Sequence, residues 1–75
     1  MNKEKLNSNF ASRLYNLRVS NGINQKVLAA ALNITSQAIS NYEYGKREPR
    51  ISDLISIADY FQVSIDYLVG RTDTP

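Results

Sequence analysis

Residues 25–44 read QKVLAAALNITSQAISNYEY, and this stretch decides the fold. Leu28 and Leu32 lie one helical turn apart, as do Ile39 and Tyr42, and Asn33-Ile34-Thr35 interrupts the period between them. The pattern is that of two short helices, each with one apolar stripe, joined by a tight turn. Helices joined so closely need a very small residue at one inward position, and Ala29 supplies it. The turn needs a residue that tolerates positive φ, for which Asn33 is the best choice after glycine. Leu28, Leu32, Ile34, Ile39 and Tyr42 then form the inward-facing set.

The same periodicity extends to both sides. Leu6, Phe10, Leu14 and Leu17 form one stripe ending before Gly22, and Leu28, Ala31 and Leu32 form a second. After the segment of Ile39 and Tyr42 come Leu54, Ile57, Ala58 and Phe61, then Ile65, Leu68 and Val69. Gly22, Gly45 and Gly70 each follow a periodic run, where a helix commonly ends in a left-handed residue. Asn24, Thr35 and Ser64 each open a run as N-caps. Pro49 keeps Glu48 out of the helical region and fixes a break. The reading predicts helices over 8–21, 25–32, 36–44, 51–61 and 65–69. Five helices in 75 residues leave no room for a sheet, so the fold class is all-α. Residues 1–7 are expected to be a flexible, polar arm, 8–70 the domain with its motif at 25–44, and 71–75 a frayed tail. No internal repeat or low-complexity segment shows.

Composition bounds what such a domain can do. A chain of 75 residues holds one core, burying only about 60% of its unfolded surface. It has no cysteine and no histidine, so disulfides, thiolate sites and the commonest general base are absent. Packing alone must hold it, and 43% hydrophobic residues suffice to attempt a core. No apolar run approaches the roughly 20 residues of a membrane span, and the N-terminus lacks the apolar segment of a signal peptide. A soluble, cytoplasmic domain without cofactor is the expectation. The net charge of +2 hides an asymmetry. Residues 1–50 carry eight basic against three acidic side chains, or +5, whereas 51–75 carry one against four, or −3. A polyanion's field orients such a molecule; two ordinary solvated surfaces would show the same charges.

Position by position, Gln25–Tyr44 resembles the helix-turn-helix of the Cro/repressor-type (lambda-repressor-like) DNA-binding family. The resemblance continues in Leu14-Tyr15-Asn16-Leu17-Arg18, in Gly22-Ile23-Asn24-Gln25, and in Glu43-Tyr44-Gly45-Lys46-Arg47-Glu48-Pro49. Ile57-Ala58-Asp59 and Ser64 to Arg71 look like the family's last two helices. Asn33 departs from it, standing where the family usually has glycine. The resemblance implies a compact five-helix domain whose third helix enters the major groove of double-stranded DNA. It also implies that Arg18 and Glu43 pair with each other beneath that helix rather than meeting DNA, and that Gln25 holds a phosphate.

On this reading Ser36, Gln37, Ala38 and Asn41 are the base-contacting candidates. Gln and Asn pair bidentately with the N6/N7 edge of adenine, Ser donates or accepts, and Ala38 offers only a methyl to thymine. Phosphate contacts fall to Asn24 and Gln25 at the start of helix two, to Thr35 and peripheral Ser40, and to Tyr44, Lys46 and Arg47 after helix three. Lys26 and Arg50 are weaker additions. Tyr42 is read as core rather than as a stacking platform, because the aromatics are not interleaved with basic residues.

An enzyme is not indicated. Three glycines at helix ends leave no phosphate loop, and the C-terminal aspartates, spaced by 6, 7 and 7, look like a solvated face. The reading is therefore a transcriptional regulator, a repressor, bound to a palindromic operator as a homodimer that is weak when free. Its subunit contact is expected on helix five, at Ile65, Tyr67, Leu68 and Val69. The rival from another class is a protein-interaction module, an antitoxin or antirepressor using the same fold to hold a partner protein. A docking face of that kind would favour large apolar anchors on helix three, where this chain has amides and hydroxyls.

Overall fold

A computed structural model describes all 75 residues. They form five helices and no strand: α1 Lys3–Ser20, α2 Gln25–Leu32, α3 Ser36–Glu43, α4 Ile51–Phe61 and α5 Ile65–Leu68. Four N-termini are closed by a side-chain oxygen. Asn2 accepts from the Lys5 N–H, Asn24 from Val27, Thr35 from Ala38 and Ser64 from Tyr67, at 2.8–3.0 Å. Each such cap is worth about 1 kcal/mol. Arg50 opens α4 with no side-chain cap, its extended backbone following Pro49.

Two terminal expectations are corrected. The chain is already helical at Lys3, not from residue 8, because Asn2 caps and Glu4 suits the positive end of the helix dipole. The polar first turns are also held from outside the helix. Asn7 donates to the Gly45 carbonyl at 3.0 Å and Asn9 to the Val69 carbonyl at 3.1 Å. Residues 71–75 form no regular element but are not frayed throughout. Arg13 donates to the carbonyls of Tyr67 and Thr72 at 3.0 and 3.1 Å and to the Asp73 carboxylate at 2.9 Å. Its guanidinium also lies 4.1 Å from the centre of the Tyr67 ring.

The core is a single cluster of Phe10, Leu14, Leu28, Ala29, Ile39, Tyr42, Ile57, Ala58 and Leu68. Leu17, Ile23, Leu32, Ile34, Leu54, Phe61 and Val63 pack around it. Ala31, read as part of the second stripe, is exposed. Tyr42 is fully buried, its ring edge-on to Phe10 at 5.8 Å, and its hydroxyl donates to the Asp53 carboxylate. Burial, reinforced by that hydrogen bond, raises the Tyr42 pKa above the usual tyrosine range. Leu68 is also fully buried and Tyr67 and Val69 half-buried, so α5 spends most of its apolar surface on the core.

All five helices end in the same way, with a positive-φ residue and two closing backbone bonds. Gly22, Asn33, Gly45, Gln62 and Gly70 occupy that position. At Gly70 glycine is required twice over: φ is +81°, and a Cβ would collide with the Asn9 side chain. The turns α2–α3 and α4–α5 are moreover one structure built twice, 29 residues apart. Asn33 (φ 57°, ψ 43°) matches Gln62 (56°, 46°), and Thr35 (−84°, 151°) matches Ser64 (−78°, 155°). Ile34 donates to the Ala29 carbonyl as Val63 does to Ala58, both at 3.0 Å. No repeat is legible in the sequence because, aligned 29 residues apart, Leu28–Ile39 and Ile57–Leu68 are identical only at Ala29 and Ala58.

Candidate nucleic-acid interface

Two fully buried side chains, Ile39 and Tyr42, fix the inward face of α3. At 100° per residue the opposite face carries Gln37, Ser40 and Asn41, with Ser36 and Ala38 on its flanks. Gln37 is exposed, and Ser36, Ser40 and Asn41 are half-buried. The Gln37 amide donates to the Asn41 side-chain carbonyl at 3.1 Å across one turn. Ala38, expected to meet a thymine methyl, is packed against the core on its flank. It lines a cleft of about 200 Å³ with Thr35, Tyr42, Arg47, Arg50 and Asp53. The structure therefore does not bring Ala38 onto the face that Gln37 and Asn41 share.

The mounting of this helix is electrostatic as well as apolar. Glu43, the last residue of α3, accepts from Arg18 Nε at 2.6 Å and from Nη2 at 2.9 Å. The two side chains are only 4% and 12% exposed, respectively. Arg18 completes the joint by donating to the Ile23 carbonyl at 2.9 Å. The hydrogen bond that Arg18 donates to Glu43 holds the Arg18 pKa above its ordinary value. Arg18 and Glu43 thus pair beneath α3, as the family resemblance implied. A third member escaped the sequence reading: Gln25 donates its side-chain amide to the same Glu43 carboxylate at 3.1 Å. No short-range signal announces a contact between residues 18 positions apart. Its effect is to tie the first residue of α2 to the last of α3.

Around α3 the polar candidates still hold unspent groups. Gln25 keeps its side-chain carbonyl and second amide hydrogen, beside the unpaired N–H groups of a helix's first turn. Asn24 uses only its oxygen in capping, leaving its amide hydrogens. Thr35 accepts from Ala38, so its hydroxyl hydrogen is free to donate. Tyr44 caps the C-terminus of α3 and is 73% exposed. The Lys46 ammonium lies 5.7 Å from the centre of the Tyr44 ring, and the Arg47 guanidinium 6.0 Å from that of Tyr42. Arg50, a weaker addition by sequence, shares the cleft with Arg47. The result is a rim of cations and hydrogen-bond donors around a floor of amides and hydroxyls. Of the large exposed apolar side chains, Tyr44 directly follows α3 and Ile51, Ile55, Tyr60 and Ile65 lie beyond residue 50; none is within α3 itself. No helix is long and apolar enough to cross a membrane.

Known proteins resemble this chain in sequence and in fold. The regulator ImmR of Bacillus subtilis, named as a helix-turn-helix-type transcriptional regulator, is 38% identical over 61 residues, or 81% of this chain and 48% of its own length. YonR, an uncharacterized regulator of the same type from the SPbeta prophage of B. subtilis, is 38% identical over 63 residues, covering 84% of this chain and 58% of YonR. The chain thus spans about half the length of these curated relatives. In three dimensions it resembles the restriction-modification controller protein C.AhdI from Aeromonas hydrophila, with a TM-score of 0.75. That match covers 83% of this chain and 94% of C.AhdI at 22% identity, and it shows the fold. A helix-turn-helix family model spans residues 14–68, from the second half of α1 through α5. With the paired helices, the Arg18–Glu43 joint and this match in hand, the chain belongs to the helix-turn-helix family.

Proposed function

We propose that the chain is a sequence-specific, double-stranded-DNA-binding transcriptional regulator that acts as a repressor in the cytoplasm. One observation carries this reading. The outward face of α3 presents Gln37, Ser40 and Asn41 on a helix rigidly seated by Ile39, Tyr42 and Glu43. Such a face suits the floor of a major groove, whose base edges are hydrogen-bond donors and acceptors. Ser36 sits at the N-terminal end of the helix, within reach of the same floor. Asn24, Gln25, Thr35, Ser40, Tyr44, Lys46 and Arg47 then meet phosphates on either side, setting register without reading sequence. Family relatives named as transcriptional regulators support the assignment. A protein-docking face would need apolar anchors on α3, and that helix exposes none.

One recognition helix spans too few base pairs for useful selectivity, so two copies act on a two-fold symmetric operator. With the basic half on DNA, the acidic half is left for the subunit contact; of the helix-five residues expected there Leu68 is spent on the core, which leaves Ile65, with Ile51 and Ile55 of α4 also exposed. Occupying an operator that overlaps a promoter blocks transcription, and a reporter placed behind the selected site tests the sign.

The experiment is selection from a random duplex pool with the purified chain, followed by titration at two salt concentrations. If a dimer neutralises about six to ten phosphates, affinity falls roughly 10³–10⁵-fold between 50 and 200 mM salt. Selected sites are palindromes with half-site centres about 10 base pairs apart. Lys46→Ala weakens all sequences alike, whereas Gln37→Ala costs about 1–3 kcal/mol on the preferred site alone. A binding constant flat in salt would overturn the groove-docking model. Non-palindromic sites filled by one chain at full affinity would overturn the dimer.

A further inference from the structure

We infer that Gln37 and Asn41 act as one coupled reader of a single adenine, rather than as two independent base contacts. The inference rests on the proposed DNA-binding reading and adds what that reading leaves open, namely how the two amides divide the groove floor. Side chains at i and i+4 on a helix are separated by about 6 Å of rise, enough to address different base pairs. Here they do not stay apart: the 3.1 Å hydrogen bond draws the two amide groups together into one polar unit. Nothing else in the structure claims either side chain, since their mutual bond is the sole side-chain hydrogen bond that either makes.

The tie fixes what the pair offers. Each amide brings one carbonyl and one NH2 group. Once Gln37 Nε2 donates one hydrogen to Asn41 Oδ1, the pair keeps the Gln37 carbonyl, the second Gln37 amide hydrogen, both Asn41 amide hydrogens and one lone pair on Asn41 Oδ1, so it offers acceptors as well as donors. Exchanging the roles of the two side chains leaves the same kinds of group, so the outcome does not depend on which amide donates. In the major groove adenine presents a donor (N6–H) next to an acceptor (N7), which this unit complements. Guanine presents two acceptors, O6 and N7, which would leave the pair's own acceptors without a partner on that base edge. The pre-formed bond also spares the ordering of two flexible side chains on binding. Ser40, between the two on the same face, is short enough to leave the edge accessible.

The test uses the site selected with the wild-type chain, and compares Gln37→Ala, Asn41→Ala and the double variant on that site and on its single-base substitutions. Coupled reading predicts that each single variant loses about 5–150-fold on the preferred site, the range of one bidentate base contact. Both single variants then relax selectivity at the same A·T pair, and the double variant loses little more than either one. Replacing that adenine by 7-deazaadenine, which lacks the N7 acceptor, weakens the wild type but neither alanine variant. Relaxation at two different base pairs with losses that multiply would overturn the coupling while leaving the proposed function intact. A wild-type chain that selects no sequence at all would overturn both. Neither residue belongs to the core cluster, so the variants should keep the wild-type melting temperature.

Discussion

The segments Leu28–Ile39 and Ile57–Leu68 share a turn geometry to within a few degrees and yet have different destinies. In each, an alanine lies at the close crossing, a β-branched residue follows the left-handed position, and a hydroxyl caps the next helix. The helices that emerge diverge. α3 runs eight residues and turns amides and hydroxyls outward, whereas α5 stops after four and carries Asp66 where α3 carries Gln37. Asp66 lies in the first turn of α5 and adds to the negative charge of residues 51–75, so on the proposed reading the second unit serves packing rather than DNA. The turn is thus a way of crossing two helices; what the unit does is decided by the extra helical turn and by the residues on its outer face. That extra turn holds Asn41, Tyr42 and Glu43, and the last two anchor it.

The sharpest way to break the comparison is to remove an anchor the second unit lacks. Glu43→Ala leaves the Arg18 guanidinium largely buried without its carboxylate, and Gln25 without its acceptor. Breaking a buried pair by deleting one partner costs about 3–5 kcal/mol, read by chemical denaturation. A loss under about 0.5 kcal/mol, the size of an exposed pair, would mean that the joint is solvated and that α3 is held by packing alone.

Ala29→Leu and Ala58→Leu test the shared part. Both sites are 4% exposed, and overfilling either should cost about 1–3 kcal/mol. Similar losses would show that the two crossings are equally tight. A silent Ala58→Leu would show that the second turn copies the backbone of the first without its packing.

Sequence reasoning reached the first unit more fully than the second, for physical reasons. Ala29, Asn33 and Thr35 have side chains whose chemistry matches their positions, so they can be recognised singly. Gln62 has no such signature; its left-handed backbone is imposed by Ala58, Val63 and Ser64 around it. The start of α1 was misplaced because the apolar stripe begins only at Leu6, although Asn2 already caps the helix. Gln25–Glu43 and Arg13–Asp73 are tertiary contacts across 18 and 60 positions, which no local pattern encodes. Gln37–Asn41, by contrast, sits at the i, i+4 spacing at which an amide pair meets on any helix.

Tyr42 supplies a pH-dependent test of the extra turn. Tyr42→Phe removes the hydrogen bond to Asp53 and should cost about 1 kcal/mol at neutral pH. The raised Tyr42 pKa also sets a sign. As pH climbs past about 10 the unfolded chain releases this proton first, so the native state binds more protons and stability falls. That single group contributes a slope of at most about 1.4 kcal/mol per pH unit, lost once pH passes the folded value. The Phe variant should therefore lose stability less steeply than wild type above pH about 10. Parallel curves would mean that Tyr42 ionises as freely in the folded chain as in the unfolded one.

The smallest effect is the most discriminating, because it separates residue from position within one geometry. Asn33 and Gln62 hold the same left-handed conformation, at φ 57° and 56°. An L residue there pays about 1–2 kcal/mol relative to its preferred backbone, but asparagine pays less. Glycine removes the penalty and gives back about 0.4–1 kcal/mol through the greater entropy of its unfolded chain. Gln62→Gly should therefore stabilise by about 0.5 kcal/mol, while Asn33→Gly should stay within about 0.5 kcal/mol of wild type. The side chain of Gln62 is exposed and makes no hydrogen bond, so nothing else is lost with it. Denaturation midpoints on the two variants decide the matter. An Asn33→Gly gain larger than that of Gln62→Gly would reverse the order expected from the side chains, and would place the strain in the first turn rather than the second.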